Sequence, residues 1–319
     1  MTPFTITILG SSSAMPTMKR NLTSQLLQFS NQFFLIDCGE GTQYQLIRNN
    51  LKLHRINHIF ISHLHGDHYY GLVGLLSTFH LLGRTKELHL YCPPDLKKIL
   101  EIQLQYSETS LKYPLNFHLL KFDGCDIIYE DNLLSVSTIK LNHRIPCNGF
   151  LFQEKQQPGK LLPEVVGKYN IPIFQRTYIK QGGDFKTKDG NTIKNEMLTA
   201  PAPHPRSYAY CSDTAYNTAI VEQIKGVDLL YHEATFLSDK AVRAEQTFHS
   251  TAKQAASIAK QAHAGQLLLG HISARYTDAS PLLEEAKAVF ENTIIVQDGK
   301  SYEVCPSQIN KNQSDSYRI

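Results

Sequence analysis

The sequence predicts an α+β fold, and three observations carry that prediction. Short apolar runs rich in β-branched and aromatic residues recur along the chain, helical stretches lie between them, and several runs end in loops bearing His and Asp. Residues 57–72 show all three together. Ile59-Phe60-Ile61 reads as a buried strand and Tyr69 to Leu82 as the helix that follows. The loop between them carries His63, His65, Asp67 and His68. A loop at the carboxyl end of a strand is where a sheet usually presents its chemistry, because the scaffold holds the loop while side chains reach a ligand. Gly66 reads as the residue that lets this loop turn tightly.

Imidazole and carboxylate donors suit zinc and related divalent ions. His63 and His65 could point the same way and hold one ion, with Asp67 and His68 displaced enough to hold a second. A polar loop in a histidine-rich protein is the plainer reading. In a chain with 14 His in 319 residues, however, a chance His-x-His-x-Asp-His should arise only about twice per thousand such chains.

Ser62-His-Leu-His-Gly-Asp-His68 resembles the signature of the metallo-β-lactamase superfamily, an αββα four-layer sandwich that binds two metals along one edge. Further segments resemble the short form of ribonuclease Z, the endonuclease that removes 3′ trailers from precursor tRNA. They are Ile8-Leu-Gly-Ser-Ser-Ser-Ala-Met-Pro-Thr-Met-Lys-Arg-Asn21, Leu35-Ile-Asp-Cys-Gly-Glu-Gly-Thr42, His232-Glu-Ala-Thr-Phe236, His249-Ser-Thr251 and His271-Ile-Ser-Ala-Arg-Tyr276. The likeness covers roughly residues 1–305.

The resemblance implies one domain over 1–305, an inserted tRNA-binding arm at about 152–198, and a flexible tail at 306–319. It also implies two zinc ions per subunit, with manganese or iron as alternatives. His63, His65 and His143 would hold one ion, Asp67, His68 and His271 the other, and Asp213 would bridge them. Asp67 is then the candidate general base, and His249, supported by Glu233, the donor to the leaving 3′ oxygen. Lys19, Arg20, Asn21 and Arg275 would contact substrate, and Asp37 and His232 would orient ligands. Precursor tRNA is the implied partner, without DNA or membrane. A homodimer is implied too, in which one subunit's arm serves the other's site.

Composition is compatible with this and does not demand it. At 42% hydrophobic and 19% charged the chain is an ordinary globular protein. A net charge of +3 is too balanced to diagnose nucleic-acid binding, so RNA contacts must come from local basic patches. No leader-like or membrane-spanning apolar run is present, which reads as cytoplasmic. Cys38, Cys92, Cys125, Cys147, Cys211 and Cys305 form no Cys-x-x-Cys pair and read as buried reduced thiols.

Taken in order, Phe4–Leu9, Ser24–Phe29 and Phe33–Asp37 read as strands, with a turn near Asn31. Pro16-Thr-Met-Lys-Arg-Asn21 is a polar loop offering Lys19 and Arg20 to phosphate. Asp37 either orients a metal-ligating histidine or caps the helix Thr42–Asn49. A strand at Glu87–Tyr91, a helix from Pro93, and strands near Phe117–Phe122 and Leu133–Leu141 follow, the last delivering His143.

Residues 150–200 turn polar, basic and turn-rich around a small apolar unit, Leu161–Ile173. In the family this position carries an arm that clamps the tRNA elbow. Its usual Gly-Pro step is replaced here by Ile171-Pro-Ile-Phe-Gln-Arg-Thr177, while Lys180, Lys186 and Lys188 keep an electrostatic role open. Strands at Tyr208–Cys211, Val227–Tyr231 and Gln266–Gly270 then lead into Asp213, His232-Glu233 and His271. Ser250–Ala264 reads as an alanine-rich helix capped by Ser250. The metal motif alone does not choose a substrate, so a hydrolase acting on a small-molecule ester is the rival reading, and a metal-free RNA-binding subunit the other.

Overall fold

A computed structural model describes residues 2–200 and 202–307. The tail expected at 306–319 lies, from residue 308 on, outside the described residues. Two seven-stranded sheets face each other. The first runs in the order Ser301–Glu303, Phe4–Gly10, Ser24–Phe29, Gln32–Ile36, Ile56–Phe60, Leu88–Cys92, Leu115–Leu119. The second runs Thr293–Ile295, Gln266–Gly270, Leu229–Glu233, Ser207–Cys211, Asn148–Glu154, Leu134–Lys140, Ile127–Glu130.

Alternation along each strand sorts its side chains into two faces. The inward faces meet in an aromatic core that includes Phe4, Phe34, Phe60, Phe150, Phe152, Tyr208, Tyr210 and Tyr231. The outer face of the first sheet packs on the helices Thr42–Arg48, Leu72–Leu81 and Pro94–Tyr106, and that of the second on Ala252–Gln261 and Ser280–Lys287. The result is the four-layer αββα sandwich. Phe60 sits at its centre, fully buried and 4.5 Å, centroid to centroid, from Tyr91, 5.4 Å from Phe150 and 5.6 Å from Phe152. Phe60→Ala is expected to cost about 3–5 kcal/mol, read as a lower urea midpoint at unchanged m-value.

Four parallel strands in each sheet end on the same side, which is what gathers the site. In the first sheet Ile36 pairs with Phe60, and in the second Cys211 pairs with His232 and Glu233 with Gly270. Each of these pairs lies just before a loop bearing Asp37, His63, Asp213 or His271. The halves are stitched there by the Ser12 bridges to Leu22 and Ile272, and by Asn148 N donating to Ser62 O at 3.2 Å.

Several sequence expectations need correction. The helix expected over Tyr69–Leu82 is split into Gly66–Tyr69 and Leu72–Leu81. The break is imposed by close approach: Gly71 N donates to Cys38 O at 2.9 Å, and a Cβ at Gly71 would lie 2.2 Å from Gly39 O. Gly66 opens the short helix, and a Cβ there would meet only the ring of the exposed Tyr70, which can swing aside, so no tight turn makes glycine necessary. Ser250 is not the cap. Thr251 caps Ala252–Gln261 in a capping box with Gln254, because the Ser250 N–H and hydroxyl are engaged by Glu233 and Thr214. Cys125 and Cys305 are exposed, whereas Cys38, Cys92, Cys147 and Cys211 are buried. Burial pushes the Cys38 thiol up to about 12, so it is inert packing.

Residues 160–200 form helices Pro163–Lys168 and Ile173–Lys180 and two short strand pairs, Lys160–Leu161 with Thr199–Ala200 and Phe185–Lys186 with Thr192–Ile193. Val165, Ile171, Ile179, Phe185 and Leu198 make a small core of their own. No helix among the described residues is long and apolar enough to cross a membrane.

Candidate metal centre and active site

Of the three overlapping groups of donors that the strand-end loops bring together, one is Asp213, Glu233, His249 and His271, and the remaining two meet at Asp213. His63, His65, His143 and Asp213 form one, Asp67, His68, Asp213 and His271 the other, with the donor atoms of each within 4.8 Å of one another. Asp213 belongs to both. Its Oδ2 lies 3.4 Å from His63 Nε2 and 3.7 Å from His143 Nε2, while Oδ1 lies 3.0 Å from His271 Nε2 and 3.4 Å from His68 Nε2. Asp67 Oδ2 faces His68 Nε2 at 3.5 Å and His271 Nε2 at 3.6 Å.

The backbone here is held in unusual conformations. Asp37, Asp213 and His271 have φ of 56°, 58° and 53°, a left-handed region that side chains other than glycine rarely adopt.

Hydrogen bonds behind the ligands decide which ring nitrogen faces the centre. Asp37 accepts from Ser62 N at 2.8 Å, Ser62 Oγ at 2.9 Å, Tyr210 OH at 2.7 Å and His68 Nδ1 at 2.7 Å. It therefore orients His68 and caps no helix. The helix Thr42–Arg48 begins at Gly41 without a side-chain cap. The Ser62 hydroxyl, donating to Asp37, accepts from His63 Nδ1 at 2.9 Å. His143 Nδ1 donates to Phe248 O at 3.0 Å. Thr235 Oγ1 donates to Glu233 Oε2 at 2.6 Å and so accepts from His271 Nδ1 at 3.0 Å. Each of these four rings turns its Nε2 inward. His65 instead turns Nδ1 inward, 3.1 Å from His63 Nε2 and 3.0 Å from His143 Nε2.

The charges match this arrangement. Burial pushes His63 and His143 below their ordinary range, and burial with the neighbouring imidazoles takes His65 down to about 4. These rings are neutral and free to ligate. Burial opposes ionisation of Asp213, but His271 and His68 outweigh it and hold the carboxylate well below its usual range. His68 is raised because Asp213, Asp67 and Asp37 around it overcome its burial. That pocket calls for a positive charge.

Glu233 anchors a second feature beside the donors. It is fully buried and accepts from Thr214 N at 2.6 Å, Thr235 Oγ1 at 2.6 Å, Ser250 N at 3.1 Å and His249 Nδ1 at 2.9 Å. His249 stacks on His271 at 5.3 Å. Burial alone would lower His249, yet the Glu233 carboxylate overrides it and lifts the imidazole to about 9. The pairing with Glu233 favours the protonated imidazole.

His65, Asp67, His143, Asp213, His271 and His249 line a cleft of about 490 Å³ rimmed by Arg144, Arg243 and Arg275. Of the residues expected to meet substrate, Lys19 is exposed and Arg275 lies over the Phe236 ring at 4.8 Å. Arg20 and Asn21 are engaged within the fold. Arg20 donates to Ser11 Oγ at 2.7 Å and Val296 O at 2.9 Å, and Asn21 to Asp298 Oδ2 from its backbone at 2.6 Å. Among the described residues His232 bonds no donor of the cluster: it is paired across the sheet with Cys211 and Leu269 and bonds the Glu233 carbonyl at 2.8 Å, with its ring toward the helical layer. Ser62 and Thr235 lie within the quoted motifs but carry no role that the sequence alone assigns, and nothing local marks Arg144 and Arg243. The remote partners Asp37 of Ser62, His271 of Thr235 and His65 of Arg144 come from other segments of the chain.

A family model described as "Anti-Pycsar protein Apyc1" matches residues 4–155, and one described as "Beta-lactamase superfamily domain" matches 198–272. Ribonuclease Z of Bacteroides fragilis (strain YCH46) is 50% identical over 298 residues, 93% of this chain and 98% of that protein. Ribonuclease Z of Cytophaga hutchinsonii is 50% identical over 306 residues, 94% of this chain and 96% of that protein. Among solved structures, the short form of human tRNase Z superposes with a TM-score of 0.67 at 25% identity, over 94% of this chain and 99% of that one.

Proposed function

We propose how the site works from the premise that this chain belongs to the ribonuclease Z family: it is an endoribonuclease that processes the 3′ end of precursor tRNA. The residues fit two zinc ions, with manganese or iron also suited to such donors. His63, His65, His143 and Asp213 would hold one, and Asp67, His68, His271 and Asp213 the other. The buried Nε2 atoms of His68 and His271 make no hydrogen bond among the described residues and face the Asp67 and Asp213 carboxylates at 3.0–3.6 Å, as donors to a shared ion would. When bound, the ions would acidify a water and offset negative charge at phosphorus.

The chain's own groups do the rest. Asp67, one oxygen of which faces His68 and His271, uses its other oxygen as the base that orients the attacking water. Glu233 fixes His249 through Nδ1 and leaves Nε2 to protonate the departing ribose 3′ oxygen. The products are tRNA with a 3′ hydroxyl and a trailer with a 5′ phosphate. The arm engages the substrate, a second copy completes a dimer, and the substrate places the reaction in the cytoplasm. Only the family resemblance supports the arm and dimer.

One observation carries this reading over a small-ester hydrolase. A histidine held protonated by a buried carboxylate beside the donor cluster suits a poor leaving group such as a ribose alkoxide, which an activated ester does not need. The test is cleavage of a precursor tRNA with a 3′ trailer beside bis-p-nitrophenyl phosphate, for wild type and a deletion of residues 155–195. Wild type should cut the precursor after the discriminator base, and the deletion should lose that cut while keeping the ester. Cleavage of the ester alone by wild type would sink the tRNA reading.

The pH profile tests the acid separately. His249 must be protonated, so kcat on the precursor should fall as pH rises through the His249 pKa, which Glu233 raises and the positive charge of bound ions would lower. Glu233→Gln removes the carboxylate that raises it and should move that alkaline limb to lower pH. An unmoved limb would show that another group is titrating. Lost stability alone would not shift it.

A further inference from the structure

Arg144 follows His143 directly in the chain, and its Nη2 lies 3.1 Å from Nε2 of His65 at the mouth of the cleft. Only Nδ1 of His65 converges with His63 and His143, at 3.1 and 3.0 Å. His65 can therefore join that group only through Nδ1, and its proton must then sit on Nε2. A guanidinium has no acceptor atom. With an ion held by the three imidazoles, two donors face each other, and what satisfies both is an oxygen acceptor, best an anionic one.

We propose that Arg144 and the Nε2–H of His65 form a subsite for a backbone phosphate of the RNA, one neighbouring the phosphate under attack. The choice of a neighbouring phosphate follows from the ring itself. Nε2 lies on the side of the imidazole away from Nδ1, so the acceptor it selects stands outside the centre where the bond breaks. Arg144 is exposed and unencumbered by the core, whereas Arg275 is stacked on Phe236 and bonded to Ser273 Oγ at 3.0 Å. Because the partner of Arg144 is itself a metal donor, loading the centre and readying the subsite become one event. The inference rests on the ribonuclease Z reading.

Zinc-loaded Arg144→Ala and Arg144→Met proteins test it on three readouts. The first is the Kd for a precursor tRNA whose scissile linkage is an uncleavable methylphosphonate, measured across a salt series. The second is zinc content, and the third is hydrolysis of bis-p-nitrophenyl phosphate, which has no neighbouring phosphate. Both variants should weaken precursor binding about tenfold and reduce the salt slope by about one. Zinc content and ester turnover should stay at the wild-type level. An unchanged Kd and salt slope would overturn the subsite. So would a parallel fall in zinc content and ester hydrolysis, which would make Arg144 a support for His65. If wild type itself fails to bind the precursor, the family-based reading fails first.

Discussion

Replacing His249 with alanine is expected to lower kcat on precursor tRNA by about 10²–10⁴-fold while sparing most of the turnover of bis-p-nitrophenyl phosphate. The asymmetry comes from the leaving groups. A ribose 3′ alkoxide departs only with a proton, whereas p-nitrophenolate departs as the anion. His249 is placed for the first case, with Nδ1 fixed on Glu233 at 2.9 Å and the ring packed between His271 and Phe236. Its neighbour Phe248 has φ of 57° and accepts from His143 through its carbonyl. One strained turn thus positions both the proposed acid and a candidate metal donor. Metal content must be measured with the kinetics, because a disturbed turn would release His143. Equal losses on both substrates with intact metal content would show that His249 is not the proton donor.

Asp213→Asn is expected to be more severe and indiscriminate. Removing the charge that faces His63, His143, His68 and His271 should cost most of the bound metal. Turnover of both substrates should fall about 10³-fold or more, since bound ions would contribute several kcal/mol of transition-state stabilisation. Asparagine is the informative replacement because it tolerates the left-handed backbone at this position, φ 58°, whereas alanine would add roughly 1–2 kcal/mol of strain. Metal analysis of the purified variant decides the matter. Full metal occupancy with lost activity would mean that Asp213 acts on substrate and does not bridge the ions.

The parts of this protein legible in its sequence are those carried by neighbours in the chain. Ile59-Phe60-Ile61 announces a buried strand because both faces of that strand are covered, Phe60 meeting the aromatic core and Ile59 the helical layer. His63, His65, Asp67 and His68 announce a metal loop because six consecutive positions hold four donors. Strands Asn148–Glu154 and Ile127–Glu130 and the helix Ser280–Lys287 went unread, since their sequences mix polar and apolar residues without a clean period.

What the sequence determined by itself was the donor inventory and the strand ends that present it, because apolar periodicity and residue chemistry are local properties. Only the tertiary structure decided which atom of each donor is used and what stands behind it. Asp37 reaches His68 across 31 positions, Thr235 reaches His271 across 36, and Tyr210 reaches Asp37 across 173. It also committed Arg20 and Asn21 to the fold and turned His232 into the helical layer. A hydrogen bond depends on distances of about 3 Å, and such distances between remote segments exist only once two sheets have closed on one core.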